Sequence, residues 1–182
     1  MIKELTFLSP AEVLLIKSPE IKVHTLARVT FFDLILKEVL SIKTDTKATE
    51  EEMKNPTVSI GKSYASYQPL KHESIFLSVF TKDDTLKIKL SNLLKSAFEK
   101  VKNGEEYKLK YVYTKKRMKD YFKSNFFQRL LGVRLISENG LRVQKEIQRE
   151  LKRIKSNTTK KTKNAVELLL SINGNIVLIP KI

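Results

Sequence analysis

The 182-residue sequence contains no cysteine, no tryptophan and only two histidines, His24 and His72. Without cysteine, the chain can form neither a disulfide nor a thiolate metal site. The two histidines lie far apart and lack the short spacing of paired metal ligands, so a zinc or iron site would depend almost entirely on carboxylates. We therefore expect no bound metal.

Glycine is also scarce, because the chain has five glycines and each stands alone. Phosphate-cradling loops and dinucleotide fingerprints need several glycines within a few residues, and a nucleophile elbow needs the pattern Gly-x-Ser-x-Gly. The sequence contains none of these patterns. We therefore expect a non-enzymatic protein that has no catalytic residues and no organic cofactor.

Long hydrophobic runs are missing as well. The most apolar stretch, AVELLLSINGNIVLIP at 165–180, is interrupted by Glu167, Asn173 and Asn175. It is shorter than the roughly 20 residues that cross a bilayer. The N-terminal residues lack the charged start and unbroken apolar segment of a secretory signal. Together with the absence of cysteine, which is typical of reducing compartments, these features predict a cytoplasmic location.

Positive charge, by contrast, is abundant and unevenly distributed. The formal net charge is +15, and residues 107–163 hold 18 Lys or Arg against four acidic residues. The rest of the chain is nearly neutral, with 17 basic and 16 acidic residues. Such an asymmetry favours a polyanionic partner, such as nucleic acid, an anionic membrane surface or an acidic protein. The alternative interpretation is that these lysines and arginines only form a solvated surface.

The first part of the chain has clear helix signals. Ser9 as N-cap, Pro10 in the first turn and Glu12 at the third position form a capping box that starts a helix ending before Ser18. A second helix is predicted at 23–39 and is apolar around almost its whole circumference, which indicates burial. Two β-branched stretches then predict a hairpin around a polar insert, at 39–46 and 56–64.

The second part repeats this order loosely. Helices are predicted from about Pro69 and over 89–103, and the alternating segment 107–113 is assigned to a third helical element. The segment 132–140 predicts a strand and a turn. Ser137 then caps a long helix that reaches about Lys155.

Two helices followed by a hairpin resemble a winged helix-turn-helix unit, and the closing phrase LISENGLRVQKEIQRELKRI resembles the end of such a module. The resemblance implies a mainly α fold with small β-hairpins, built from tandem winged-helix-like modules. The predicted boundaries are 1–66 for the first module, 67–155 for the second, basic module, and 156–182 for a linker and an apolar segment that packs on the core.

The layout also resembles the Golgi phosphoprotein family of peripheral membrane proteins. The similarity lies in the opening AEVLLI helix, the buried second helix, the basic later half and the final apolar helix. The head-group pocket of that family uses a tryptophan beside its basic residues. Because this chain has no tryptophan, no binding residue carries over.

The basic segments divide into charged and apolar faces when they are drawn as helices. In the helix after Ser137, Val143, Ile147, Leu151 and Ile154 form the apolar stripe. In the segment 115–123, Met118, Tyr121 and Phe122 form the packing face. If the two helices pack by these stripes, their cations merge into one surface. We expect this anion-binding surface to consist of Lys115, Lys116, Lys119, Lys123, Arg142, Lys145, Arg149, Lys152 and Arg153.

Three kinds of partner remain open. Nucleic acid held by its backbone phosphates is the first interpretation, an anionic membrane surface is the second, and a protein partner or a homo-oligomer is the third. Phe122, Phe126 and Phe127 are expected in the core, and Tyr113 is expected to be exposed. Exposure of the segment FFQRLL at 126–131 would favour lipid. The helix at 23–39 offers only one narrow polar stripe, which disfavours base-specific reading of duplex DNA by that helix.

Overall fold

The computed structural model describes residues 2–43, 56–101, 104–123, 135–159 and 165–179. The described chain is mainly helical, with a three-stranded and a two-stranded antiparallel sheet. The predicted class, mainly α with small antiparallel hairpins, is therefore confirmed. The chain divides into two compact units, which we call unit 1 (Met1–Asp33 with Gly104–Ile182) and unit 2 (Leu34–Asn103).

These units do not share the boundaries of the predicted modules. Unit 1 joins both ends of the chain, whereas unit 2 is one continuous stretch. The predicted modules were continuous segments, at 1–66 and 67–155. Unit 1 is discontinuous because its long C-terminal helix and its terminal 3₁₀ helix pack against the second helix of the chain.

Unit 1 begins with short helices whose start signals lie in the sequence. The Ser9 hydroxyl accepts a hydrogen bond from the Glu12 amide at 3.3 Å, and the Glu12 carboxylate accepts one from the Ser9 amide at 2.9 Å. The predicted capping box is therefore confirmed, with Pro10 as the first helical residue. The first three helices are α1 (Glu4–Phe7), α2 (Pro10–Lys17) and α3 (Val23–Leu36).

Helix α3 is less completely buried than its composition predicts. Leu26, Ala27 and Leu34 are fully buried, but Phe32 is 46% exposed and Leu36 is 53% exposed. These two residues are one helical turn apart and therefore share a face. The expectation of burial around almost the whole circumference is wrong for that face.

Unit 2 is built around the predicted hairpin, to which a third strand is added. Val58 pairs with Ile42 on one side and with Ile88 on the other, and it is fully buried. The helix predicted from Pro69 is shorter than expected, and its one α-helical turn starts at Ser74. The elements are β1 (Leu40–Lys43), β2 (Thr57–Ile60), a 3₁₀ helix (Tyr64–Ser66), α4 (Ser74–Leu77), β3 (Ile88–Lys89) and α5 (Leu90–Glu99).

The rest of unit 1 carries the basic part of the chain. The segment 107–113, which could be a strand or a helix by pattern, is mostly a π-helix that closes with a 2.7 Å bond from the Tyr113 amide to the Lys108 carbonyl. The elements are α6 (Gly104–Tyr107), the π-helix (Lys108–Val112), α7 (Lys115–Met118), β4 (Phe122–Lys123), β5 (Leu135–Ile136), α8 (Glu138–Thr159), α9 (Ala165–Ser171) and a 3₁₀ helix (Asn173–Leu178).

Two amide side chains form hydrogen bonds between these later elements and the start of the chain. The Gln144 amide donates to the carbonyls of Ile16 and Lys17 at 3.2 and 2.9 Å, so α8 supplies donors for the C-terminal end of α2. The Asn175 amide donates to the Leu5 and Leu8 carbonyls at 3.0 and 2.8 Å. Across the described residues, no helix combines the length and the apolar character needed to cross a bilayer.

Candidate anion-binding surface

Helix α8 separates apolar and basic residues as its sequence predicts. Its apolar stripe is buried, with Val143 3%, Ile147 0%, Leu151 4% and Ile154 0% exposed. The cations on the opposite side are all exposed, which confirms the predicted orientation of the helix. We call these five residues the α8 basic face: Arg142, Lys145, Arg149, Lys152 and Arg153.

The start of α8 is fixed by a cluster of hydrogen bonds. The Ser137 hydroxyl accepts from the Gly140 amide at 3.0 Å and donates to the Asp120 carbonyl at 2.7 Å. The Ser137 amide donates to the Tyr121 carbonyl at 2.9 Å. A Cβ atom on Gly140 would lie 2.2 Å from that same carbonyl oxygen. Only glycine therefore permits this close packing of the first helical turn.

The same cluster brings the two basic segments together at one point. The Asn139 amide donates to the Asp120 carbonyl at 3.3 Å, and the Arg142 guanidinium donates to the Asn139 side-chain oxygen at 2.8 Å. Lys119 precedes Asp120 in the chain. The N-terminal end of the α8 basic face and the end of α7 are therefore neighbours, with the exposed Asp120 between them.

The segment 115–123 is not the single helix that its sequence pattern predicts. Helix α7 ends at Met118, and Lys123 lies in β4, paired with Leu135 of β5. The assignment of Lys123 to one helical quadrant is therefore wrong, because strand pairing ends the helix first. Lys115, Lys116, Lys119 and Lys123, which we call the 115–123 lysines, are nevertheless all exposed. Met118, Tyr121 and Phe122 are buried as predicted.

Most of these cations have no acidic partner among the residues that the structure describes. Arg153 pairs with Glu150 through a 3.0 Å hydrogen bond from its Nε, and this bond lowers the pKa of the Glu150 carboxyl. The other eight predicted site residues form no ion pair with any residue that the structure describes. Their charge is directed to solvent.

Two further cations of unit 1 are used inside the fold. Arg117 holds the fully buried Glu12 carboxylate with Nε and a terminal nitrogen, at 2.8 and 2.9 Å. Its guanidinium also lies 5.4 Å from the Phe7 ring centre. Lys108 is 8% exposed and pairs with Glu105 at 2.8 Å. Sequence alone gives no signal that separates Arg117 from Lys115 and Lys116, because all three stand in one basic run.

A shallow depression of about 350 Å³ follows the N-terminal half of the α8 basic face. Three cations and two carboxylates line it. Leu141, which is 44% exposed, is the apolar side chain that lines the depression. The residues that line it are Glu138, Leu141, Arg142, Lys145, Glu146 and Arg149.

The described rings near these cations mainly pack within unit 1. The Tyr113 ring, expected to be exposed, is half-buried and lies edge-on to Phe122 at 5.9 Å. Tyr107 is buried and stacks with Tyr111 at 5.7 Å. Burial and a 2.9 Å hydrogen bond to Glu4 raise the pKa of Tyr121. Phe126, Phe127 and the FFQRLL segment lie outside the described residues.

Unit 2 contains another polar cluster. The Tyr67 hydroxyl donates to the buried Glu73 carboxylate at 2.8 Å, and the Lys37 amine lies 3.2 Å from that hydroxyl. Burial and the Glu73 charge raise the pKa of Tyr67 far above its usual value. Because Tyr67 therefore holds its proton, it is a poor base or nucleophile. It forms part of the wall of a pocket of about 280 Å³.

Among the described residues, no three His, Asp or Glu side chains converge as a metal site requires. No protein-family model, curated protein or solved structure matches this chain significantly.

Proposed function

We propose that this chain is a non-enzymatic binding protein that holds nucleic acid by its backbone phosphates. The surface in this proposal consists of the α8 basic face and the 115–123 lysines. One observation carries it: eight of these nine cations are exposed and form no ion pair with a described residue. Exposed cations of this kind neutralise phosphates and release the counterions condensed on a nucleic acid.

The arrangement of the same residues supports one joint surface. The hydrogen bonds from Asn139 to Asp120 and from Arg142 to Asn139 lie where the two basic segments meet. The buried stripe of α8 keeps its cations on the outer side.

Tandem winged-helix-like modules belong to the same proposal. They are supported by the hairpins that follow α3 and α7, namely β1 with β2 and β4 with β5.

Charge reversal tests the proposal. The site variant is K145E/R149E/K152E on α8, and the matched control is K82E/K87E/K95E in unit 2, where all three lysines are exposed. Each triple changes the net charge by the same amount. We expect the site variant to lower the slope of log affinity against log salt by about 2.7 on duplex DNA, at about 0.9 per lost phosphate contact.

The control variant should bind nearly as well as the wild type. Equal losses in both triples would mean that total charge, and not this surface, governs binding. Failure of the wild-type protein to bind duplex DNA, single-stranded RNA and anionic vesicles at low salt would contradict the proposal. The basic faces would then be only solvated surface, and the protein-partner interpretation would take over.

An anionic membrane surface is the second candidate, and two exposed leucines favour it. Leu135 is 46% exposed and pairs with Lys123 across the β4–β5 ribbon, and Leu141 is 44% exposed beside Arg142. Apolar residues bordering cations suit the boundary between head groups and acyl chains. L135S/L141S should then weaken sedimentation with phosphatidylserine vesicles and leave DNA binding unchanged.

A further inference from the structure

The α8 basic face is a strip along the helix, in which helical spacing places four of the five cations in two rows. Arg142 and Arg149 form one row, and Lys145 and Lys152 form the other. The members of each row are seven residues apart, or about 10 Å along the helix axis. From Arg142 to Arg153 the strip is about 16 Å long, and all of its cations are exposed.

A duplex offers this strip a denser array of phosphates than a single strand does. Over about 16 Å a duplex presents roughly nine phosphate charges, and a single strand presents roughly five, at one per 1.7 Å and one per 3.4 Å. The phosphates of a duplex also border a groove on both sides, about 6 Å or 12 Å apart. Long Arg and Lys side chains from two rows can contact both borders.

The helix lacks the groups that favour unpaired bases. Single-strand binders obtain about 1–3 kcal/mol per base from stacking on aromatic rings, and α8 contains no aromatic residue. Of the neighbouring described rings, Tyr121 and Phe122 are buried and Tyr113 lies edge-on to Phe122.

Two of the four amide side chains of α8, a residue type that can read base edges, are used within the fold. Gln144 donates its amide to the carbonyls of Ile16 and Lys17, and Asn139 is bonded to Asp120 and Arg142. Glu138 and Glu146 line the same depression as Arg142, Lys145 and Arg149, and their carboxylates repel phosphates locally.

From these features, and resting on the proposed function, we infer that the partner is duplex nucleic acid. Helix α8 lies along one groove and contacts the phosphates of both strands, without reading the base sequence. This mode differs from groove reading by a recognition helix, for which α3 offers only a narrow polar stripe.

The test compares nucleic acids of equal length, together with two other polyanions, by fluorescence anisotropy at several salt concentrations. The probes are two unrelated short DNA duplexes, a duplex RNA, the unpaired strand of one duplex, heparin and phosphatidylserine vesicles. We expect the duplexes to bind about tenfold more tightly than the unpaired strand, because their charge density is twice as high. The two DNA sequences should differ by less than about twofold, because phosphate contacts carry no sequence information.

The other outcomes separate failure of the duplex inference from failure of the proposed function. Tighter binding of the unpaired strand, with the K145E/R149E/K152E variant still impaired, would overturn the duplex inference and leave the proposed function standing. A strong difference between the two DNA sequences would overturn the sequence-independent mode. Binding to heparin or vesicles without binding to any nucleic acid would overturn both proposals. The K82E/K87E/K95E control should keep the wild-type preference in every arm.

Discussion

At the scale of single residues, Arg117 and Lys116 have opposite roles although they are neighbours in one basic run. Lys116 is exposed, whereas Arg117 holds the buried Glu12 carboxylate with two nitrogens. R117M leaves that carboxylate without its cation, and we expect it to lower the free energy of unfolding by about 2–4 kcal/mol. Urea denaturation monitored by circular dichroism measures the loss.

The matched control is K116M, which removes the same charge one position earlier in α7. It should change the free energy of unfolding by less than about 0.5 kcal/mol, as most surface substitutions do. Equal stabilities of R117M and K116M would contradict the role given to Arg117. The sequence did not separate these residues because their difference depends on Glu12, which lies 105 positions away in the chain.

At the scale of elements, the sequence predicts structure wherever the signals are local. The capping box of α2 lies within four residues, and α8 combines a local cap at Ser137 with a stripe of four apolar residues over about three turns. Strand β3 was missed because its two residues acquire their conformation by pairing with Thr57 and Val58, about thirty positions earlier. For the same reason the helix predicted over 115–123 ends at Met118, and Phe122 and Lys123 form β4 instead.

In the candidate surface, too, some features follow from local sequence and others depend on contacts between distant residues. Periodicity correctly predicted which side of α8 is exposed, because an apolar stripe must be buried. The meeting of α7 and α8 was not predictable, since it depends on the tertiary bonds of Asp120 and Asn139 and on the absence of a side chain at Gly140.

That junction gives a prediction about Gly140. In G140A the new Cβ would lie 2.2 Å from the Tyr121 carbonyl oxygen and 2.7 Å from Cγ1 of Ile136. Because the carbonyl belongs to the backbone, it cannot rotate away, and we expect a loss of about 1–3 kcal/mol in the free energy of unfolding. The control is G104A, whose Cβ would meet only Val23 carbon atoms at 3.4 Å. Equal unfolding midpoints in urea for G140A and G104A would show that the junction relaxes freely.

At the scale of the whole molecule, the net charge of +15 opposes folding. Like charges repel one another more strongly in the compact state than in the extended chain. In residues 107–163 this repulsion is concentrated, since only four acidic residues offset 18 basic ones. Most cations of the candidate surface also lack an acidic partner among the described residues. The surface proposed for binding should therefore cost stability when no polyanion is present.

Salt should reveal this cost, because it shortens the screening length from about 30 Å at 0.01 M to about 8 Å at 0.15 M. We expect the melting temperature of the wild-type protein to rise by about 2–4 °C over this range of sodium chloride, which corresponds to about 1 kcal/mol for a chain of this size. In K145E/R149E/K152E the rise should be smaller, because the repulsion within the α8 basic face is relieved. In K82E/K87E/K95E it should stay closer to the wild-type value, because those lysines lie in the nearly neutral part of the chain. A wild-type melting temperature that falls with salt, or an equal response in all three proteins, would show that the α8 basic face carries no excess repulsion.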